Sequence, residues 1–129
     1  MIKIYTDGSF KDGISTHHYY AMRGDRRIKR RTFIGIDDTS VKAEATTIIK
    51  ALQMIMKKGW DNVHIYTDSL TTVFGVKSGK FKNEDYRYIN HLMSVTGTKL
   101  HWTRRTNRRI KKADTECRKM MKTKLRRVV

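Results

Sequence analysis

Asp7 and Asp68 close two copies of one tetrapeptide, Ile4-Tyr5-Thr6-Asp7 and Ile65-Tyr66-Thr67-Asp68. A β-branched residue, an aromatic ring and a threonine in succession are what a strand favours, so each aspartate stands at the same phase of a strand. Set side by side as parallel neighbours, two such strands carry their carboxylates out of one sheet edge about 4.8 Å apart. Carboxylates that close repel, and the repulsion is relieved by a shared proton or a bound cation. The pair therefore points to acid or metal chemistry. Singly, each aspartate has a plainer reading: Asp7-Gly8 as a turn, Asp68-Ser69 as a helix N-cap.

Glu44 adds a third carboxylate. Positions 41, 44, 45, 48 and 52 share one helical stripe on which the other four residues are apolar, so Glu44 points toward the sheet. An unpaired charge buried there costs several kcal/mol, and a cation would reconcile it with acidic neighbours. Its plainer reading is a glutamate at the stripe's edge, reaching water or a lysine. Asp114 lies on or beside the apolar stripe of Ile110, Ala113, Cys117, Met120 and Met121, early in a last helix where the macrodipole also favours an acid. Hard oxygen ligands, with Cys117 the lone cysteine, favour Mg²⁺ or Mn²⁺ over zinc. Two such ions bridged by these carboxylates, about 3.5–4 Å apart, would activate a water and stabilise the leaving oxygen in an in-line phosphodiester displacement.

The elements that must hold these groups follow from hydrophobic period. Residues 2–6 alternate as a strand; 17–23 and 26–36 are β-rich around Gly24-Asp25, a hairpin turn, and predict two more antiparallel strands. Asp37 to Ser40 offers cap residues before a helical pattern that runs from Val41 to Gly59. A strand at 63–67, helical stretches near 69–78 and 84–95, a strand near 99–104 and a helix near 108–125 complete the order βββαβααβα. Helical crossovers imply parallel pairing and tight turns antiparallel pairing, so the expected fold is α/β, a five-stranded mixed sheet flanked by helices. His17 and His18 are adjacent on a strand and face opposite sides, which argues against joint metal ligation.

The chain has 129 residues, which suits one domain spanning 1–129 with a single core. Its 29 Lys and Arg against 12 Asp and Glu leave a net charge of +17, and the field this creates predicts a polyanionic partner, nucleic acid before an acidic membrane. No apolar run approaches the ~18 residues that span a bilayer and no signal segment opens the chain, so a soluble, cytoplasmic protein is expected. One cysteine excludes an internal disulfide. Oligomeric state is not legible.

The residues resemble the type 1 ribonucleases H. The motifs TDGS at 6–9, KAE at 42–44, TDS at 67–69 and AD at 113–114 look like that family's four active-site motifs, in order and on the corresponding elements, and the likeness covers essentially the whole chain. It implies a ribonuclease H-like fold in a compact form without the basic handle insertion. It implies an endonuclease that hydrolyses the RNA strand of RNA–DNA hybrids to leave 5′-phosphate and 3′-hydroxyl ends. Asp7, Glu44, Asp68 and Asp114 would then be the ligands of Mg²⁺ or Mn²⁺. The likeness further implies Thr39 beside a phosphate of the DNA strand, with Gly8, Ser9, Ser40, Lys42 and Ser69 along the hybrid backbone.

Two departures bear on this. Only 46 residues separate Asp68 from Asp114, too few for the basic handle, so substrate grip is expected from Arg26, Arg27, Lys29, Arg30 and Arg31 or from the run Arg104 to Arg109, including Arg104, Arg105 and Asn107. The loop before the last carboxylate lacks the histidine that many members carry, which predicts slower turnover. The competing readings are a structure-selective DNA nuclease of the same fold, such as a Holliday junction resolvase, and a catalytically silent nucleic-acid-binding module.

Overall fold

Strand β1 (Ile2–Lys11) runs straight through Asp7-Gly8, in a computed structural model that describes residues 1–79 and 82–128. The hairpin turn falls instead at Asp12-Gly13, whose φ angles of 53° and 78° are the left-handed pair that a twisted two-residue hairpin requires. Strand β2 (Ile14–Arg23) returns antiparallel to β1, turns at Gly24-Asp25 as the sequence predicts, and continues as β3 (Arg26–Gly35). Asp7-Gly8 is thus not a turn. A Cβ at Gly8 would lie 2.5 Å from the backbone carbon and oxygen of Ala43, so this glycine exists to let the following helix press onto β1.

That helix is α1 (Ser40–Lys58), capped at its start by Thr39, whose side chain accepts from the Lys42 amide, and at its end by Gly59 in the left-handed region. Then follow β4 (Val63–Thr67), α2 (Leu70–Lys77), α3 (Glu84–Thr96), β5 (Lys99–Trp102) and α4 (Arg108–Val128), which is the predicted order. The sheet runs β3-β2-β1-β4-β5, antiparallel through the hairpins and parallel where helices cross over, as loop length dictates. Among the described residues no helix is long and apolar enough to cross a membrane.

Helices cover both faces. On one, Ile2, Ile4, Ile65 and Leu100 of the sheet pack with Ile48, Leu52 and Ile55 of α1 and with Val73, Val76, Ile89 and Leu92 of α2 and α3. On the other, Tyr5, Tyr20 and Met22 meet Ile110 and Ala113 of α4. His17 and His18 obey the alternation: His17 reaches Thr47 of α1 at 2.8 Å, while His18 lies on the α4 side and bonds Thr32 at 2.6 Å. Val41 departs from expectation. It opens the apolar stripe of α1 yet is 42% exposed, lining the clefts on either side of the first turn of the helix.

Gly8→Ala is expected to force α1 off β1. Overpacking of this kind costs about 1–3 kcal/mol, and it would also shift Glu44, whose own amide lies 2.7 Å from the would-be methyl. Urea unfolding and a cleavage assay on the same preparation would read both effects. Unchanged stability would mean that the contact is not close in solution.

Candidate metal centre

The repeated tetrapeptide lies in register across the sheet. β1 and β4 are parallel neighbours with Ile4 opposite Ile65 and Tyr5 opposite Tyr66, and the two tyrosine rings stack 5.4 Å apart. Asp7, in the middle of β1, and Asp68, just past the end of β4, therefore stand on the same phase of adjacent strands, as the echo predicts. Glu44 comes down from the second turn of α1, and one carboxylate oxygen from each of the three residues lies within 4.8 Å of the others.

These groups sit deep. Asp7 and Glu44 are 5% and 8% exposed. Burial is the first cause that raises the Asp7 carboxyl to about 7, with the charges of Asp68 and Asp114 adding to it and a hydrogen bond with Glu44 opposing it. Burial, and then the Asp7 charge, pushes Glu44 well above the usual carboxylate range. Thr67 donates to Glu44 Oε2 at 3.4 Å. Asp7 Oδ2 is buried with no hydrogen-bond partner among the described residues. A buried carboxylate oxygen without a donor, beside two more carboxylates, fits a bound hard cation. The donor set, all oxygen, suits Mg²⁺ or Mn²⁺.

Asp114 is not brought into this triad. Its carboxylate pairs with Arg118 at 3.0 Å, one turn along α4, and its side chain is 40% exposed, although its charge still reaches Asp7. Arg105 approaches from the loop before α4 and donates from Nε to Asp68 Oδ2 at 3.3 Å, with 89% of its side chain in solvent.

The other expected contact residues divide by position. Ser40, Ser69 and Arg105 line one cleft with Glu44 and Asp68. Thr39 and Lys42 line a neighbouring cleft between α1 and the start of α3. Ser9 borders Asp114 together with Lys11, Arg118 and Lys122. Gly8, expected along the backbone of a substrate, is instead buried under α1. Asn107 is committed to structure: its side-chain oxygen caps α4 by accepting from the Arg109 amide at 2.9 Å, and its nitrogen donates to Thr103. Arg104 stands exposed in the same loop.

Arg30 and Arg31 do not act as a pair. They pair in register with Tyr20 and Tyr19, which belong to opposite faces of the sheet, so their side chains separate. Both are on the edge strand, two strands from β1.

Three supporting residues carried no sequence signal. Thr47 Oγ1 donates to the backbone oxygens of Ala43 at 2.8 Å and Asp7 at 3.3 Å, and Cys117 Sγ reaches the Asp7 carbonyl at 3.4 Å from α4. His17 completes the knot under Asp7 by touching Thr47, Ala43 and Ser15. Thr67, by contrast, sits inside the repeated tetrapeptide.

Comparison with known proteins places this arrangement. Residues 22–120 match the family described as reverse transcriptase-like, a span that includes Glu44, Asp68 and Asp114 and begins after Asp7. No curated protein sequence matches the chain. Among solved structures, ribonuclease H1 from the halophilic archaeon Halobacterium salinarum superposes with a TM-score of 0.81 at 17% identity, covering 95% of this chain and 98% of that one. The N-terminal ribonuclease H domain of a Mycobacterium tuberculosis protein gives 0.84 at 18% identity over 99% and 98%. LC11-RNase H1, isolated from compost and solved in complex with an RNA/DNA hybrid, gives 0.76 at 18% identity over 94% and 99%. The chain belongs to the reverse transcriptase-like family and has the type 1 ribonuclease H fold.

Proposed function

We propose that this protein is a metal-dependent endonuclease that hydrolyses the RNA strand of RNA–DNA hybrids. The observation that carries the reading is the convergence of Asp7, Glu44 and Asp68 around a buried, partnerless carboxylate oxygen. The solved complex of a structural neighbour with an RNA/DNA hybrid supports the choice of substrate. So does the net charge of +17, which suits a polyanion.

Asp7, Glu44 and Asp68 would hold Mg²⁺ or Mn²⁺, with Asp114 at the margin. Bound there, divalent ions, two of them in this reading, would supply charge stabilisation for phosphodiester hydrolysis and a more acidic water. The protein's own part is positioning. Gly8 lets α1 seat Glu44, Thr67 orients its carboxylate, and the Thr47 and Cys117 contacts fix the Asp7 backbone. Arg105 holds Asp68 from the solvent side, where a phosphate would also meet its guanidinium. Ser40 and Ser69 line the cleft in which the RNA backbone would lie. The products would be a 5′-phosphate and a 3′-hydroxyl.

The test is a substrate panel: labelled RNA–DNA hybrid, duplex RNA, duplex DNA and a four-way junction, each with Mg²⁺, Mn²⁺ or chelator. Metal-dependent cutting of RNA in the hybrid alone is expected. Junction cleavage with an intact hybrid would reassign the chain to structure-selective DNA cleavage, and binding without cleavage in either metal would make it a silent binding module.

A further inference from the structure

Away from the carboxylates, β3 and α1 form the walls of a groove of about 400 Å³ in which Lys29, Arg31, Lys50, Lys57 and Lys58 converge. Each wall follows from periodicity. Lys29 and Arg31 are two apart on a strand and share its α1 face; Lys50 and Lys57 are seven apart, two turns along one flank of the helix. The floor is Tyr19 and Met54, 1% and 8% exposed.

Some of these cations have ordinary explanations when taken one at a time. Lys57 and Lys58 complement the negative end of the α1 dipole, and charges on β3 protect an exposed sheet edge. Lys50, in the middle of the helix, has neither. What those explanations leave out is convergence without neutralisation. β3 contains no acidic residue, α1 contains only Glu44, and none of the ion pairs among the described residues involves a groove cation. Glu44 is six residues from Lys50, roughly 9 Å along the helix axis, and is turned into the metal centre. Arg31 lies over the Phe33 ring, 4.7 Å from its centroid, but that contact leaves its charge in place, and five like charges lining one groove repel one another, a repulsion that a bound polyanion would relieve.

We infer that Lys29, Arg31, Lys50, Lys57 and Lys58 form a second nucleic-acid site that holds one phosphodiester strand, separate from the metal centre. Charges on two facing walls converge on a line, which a single flexible strand can follow between them; a duplex presents its phosphates on a convex surface. The closed floor offers no ring face to a base, so the contacts are to phosphate and carry no sequence preference. The inference does not depend on the proposed hydrolysis, because none of the groove residues is a carboxylate.

The test uses fluorescently labelled oligothymidylate of about 20 nucleotides, with chelator present and the salt concentration varied. Replacing the five cations together by glutamine is expected to weaken binding at least tenfold near 0.1 M salt. It should flatten the log–log salt dependence by about 2 to 3.5, since a single strand contributes ~0.7 per phosphate neutralised. A charge-matched control, with Lys77, Lys82, Lys99, Lys111 and Lys124 replaced by glutamine, is expected to change binding less than threefold. Amide shift mapping on the unaltered protein should place the oligonucleotide along β3 and the second half of α1, a readout independent of any variant. Equal loss in both variants, or an unchanged salt slope in the groove variant, would overturn the site in favour of diffuse charge. Loss of binding to phosphatidylserine vesicles with oligothymidylate binding intact would also overturn it. Loss of single-turnover cleavage of a short blunt hybrid in the groove variant, in step with its loss of oligothymidylate binding, would show that the groove is part of the cleavage site and overturn a separate one. Absence of cleavage by the unaltered protein would overturn the proposed hydrolysis alone, because oligothymidylate binding is read without metal.

Discussion

Asp7→Asn is expected to abolish hybrid cleavage and, in the same molecule, to raise the stability of the metal-free protein. The substitution keeps the shape of the side chain and removes the charge that burial and two neighbouring carboxylates oppose. Losing a central ligand should slow cleavage by about a thousandfold, equivalent to about 4 kcal/mol of transition-state stabilisation. Removing a buried charge with an oxygen that lacks a donor should raise the chelator Tm by roughly 4 °C or more. Single-turnover cleavage and thermal unfolding in chelator measure the two effects. Hybrid affinity in chelator should be kept or improved, since one negative charge leaves the binding edge. A variant that cleaves normally, or melts lower without metal, would sink the shared cation site. This opposition of function and stability is what separates a ligand cluster from a structural acid, whose removal costs stability.

The second large effect is the pH dependence of stability. The folded pKa of Asp7, about 7, lies above its ordinary value of 3.8. A raised carboxyl contributes stability that is full below the ordinary value and is lost as pH rises through the folded value. Between pH ~4 and ~7 the metal-free protein therefore loses stability on account of Asp7, on the order of 4 kcal/mol at 1.36 kcal/mol per pH unit. Glu44, raised in the same direction, adds to the loss. His18 works the other way. Burial lowers its pKa to about 4, so its contribution rises with pH and is complete by about its ordinary value of 6.5. His18 thus offsets part of the decline below pH ~6.5, and the Asp7 share is read as a difference: between pH ~4 and ~7 the unaltered protein should lose more stability than Asp7→Asn. Mg²⁺ at millimolar concentration should restore stability at pH 8, where the carboxylates are charged, and do little at pH 5. Chemical unfolding across this range, with and without Mg²⁺, decides it. A metal effect independent of pH would mean that the ion binds elsewhere.

Both results depend on how the carboxylates are assembled, and that assembly was unevenly legible in the sequence. The fold could be read because each element announces itself locally. Period-2 runs, Gly24-Asp25, the cap at Thr39 and the stop at Gly59 set the elements, and connection type set which strands run parallel. The adjacency of Asp7 and Asp68 could be read for a rarer reason: a repeated tetrapeptide encodes register as well as strand, and the two copies pair in register at Ile4–Ile65 and Tyr5–Tyr66. The inward aim of Glu44 followed from the helical stripe.

Tertiary packing decided the rest. Asp7-Gly8 carries the letters of a turn, but pairing with β2 and the close approach of α1 make it mid-strand, and no local preference encodes that approach. Arg30 and Arg31 look like one basic run, yet a strand sends neighbours to opposite faces, so Arg31 joins the lysines of α1 and Arg30 does not. Asn107 looks available to a substrate until its amide is seen spent on capping α4. Asp114 keeps its place on the last helix but turns to Arg118, because side-chain rotation at a half-exposed position answers to the nearest charge and not to sequence spacing. By itself the sequence determined which elements form, how their strands pair and that Asp7, Glu44 and Asp68 converge, all consequences of periodicity and register, while it grouped Asp114 with them by resemblance. The tertiary structure alone decided which oxygen is left without a donor and which charges are paired or left to face one another across a groove, because those depend on distances between elements far apart in the chain.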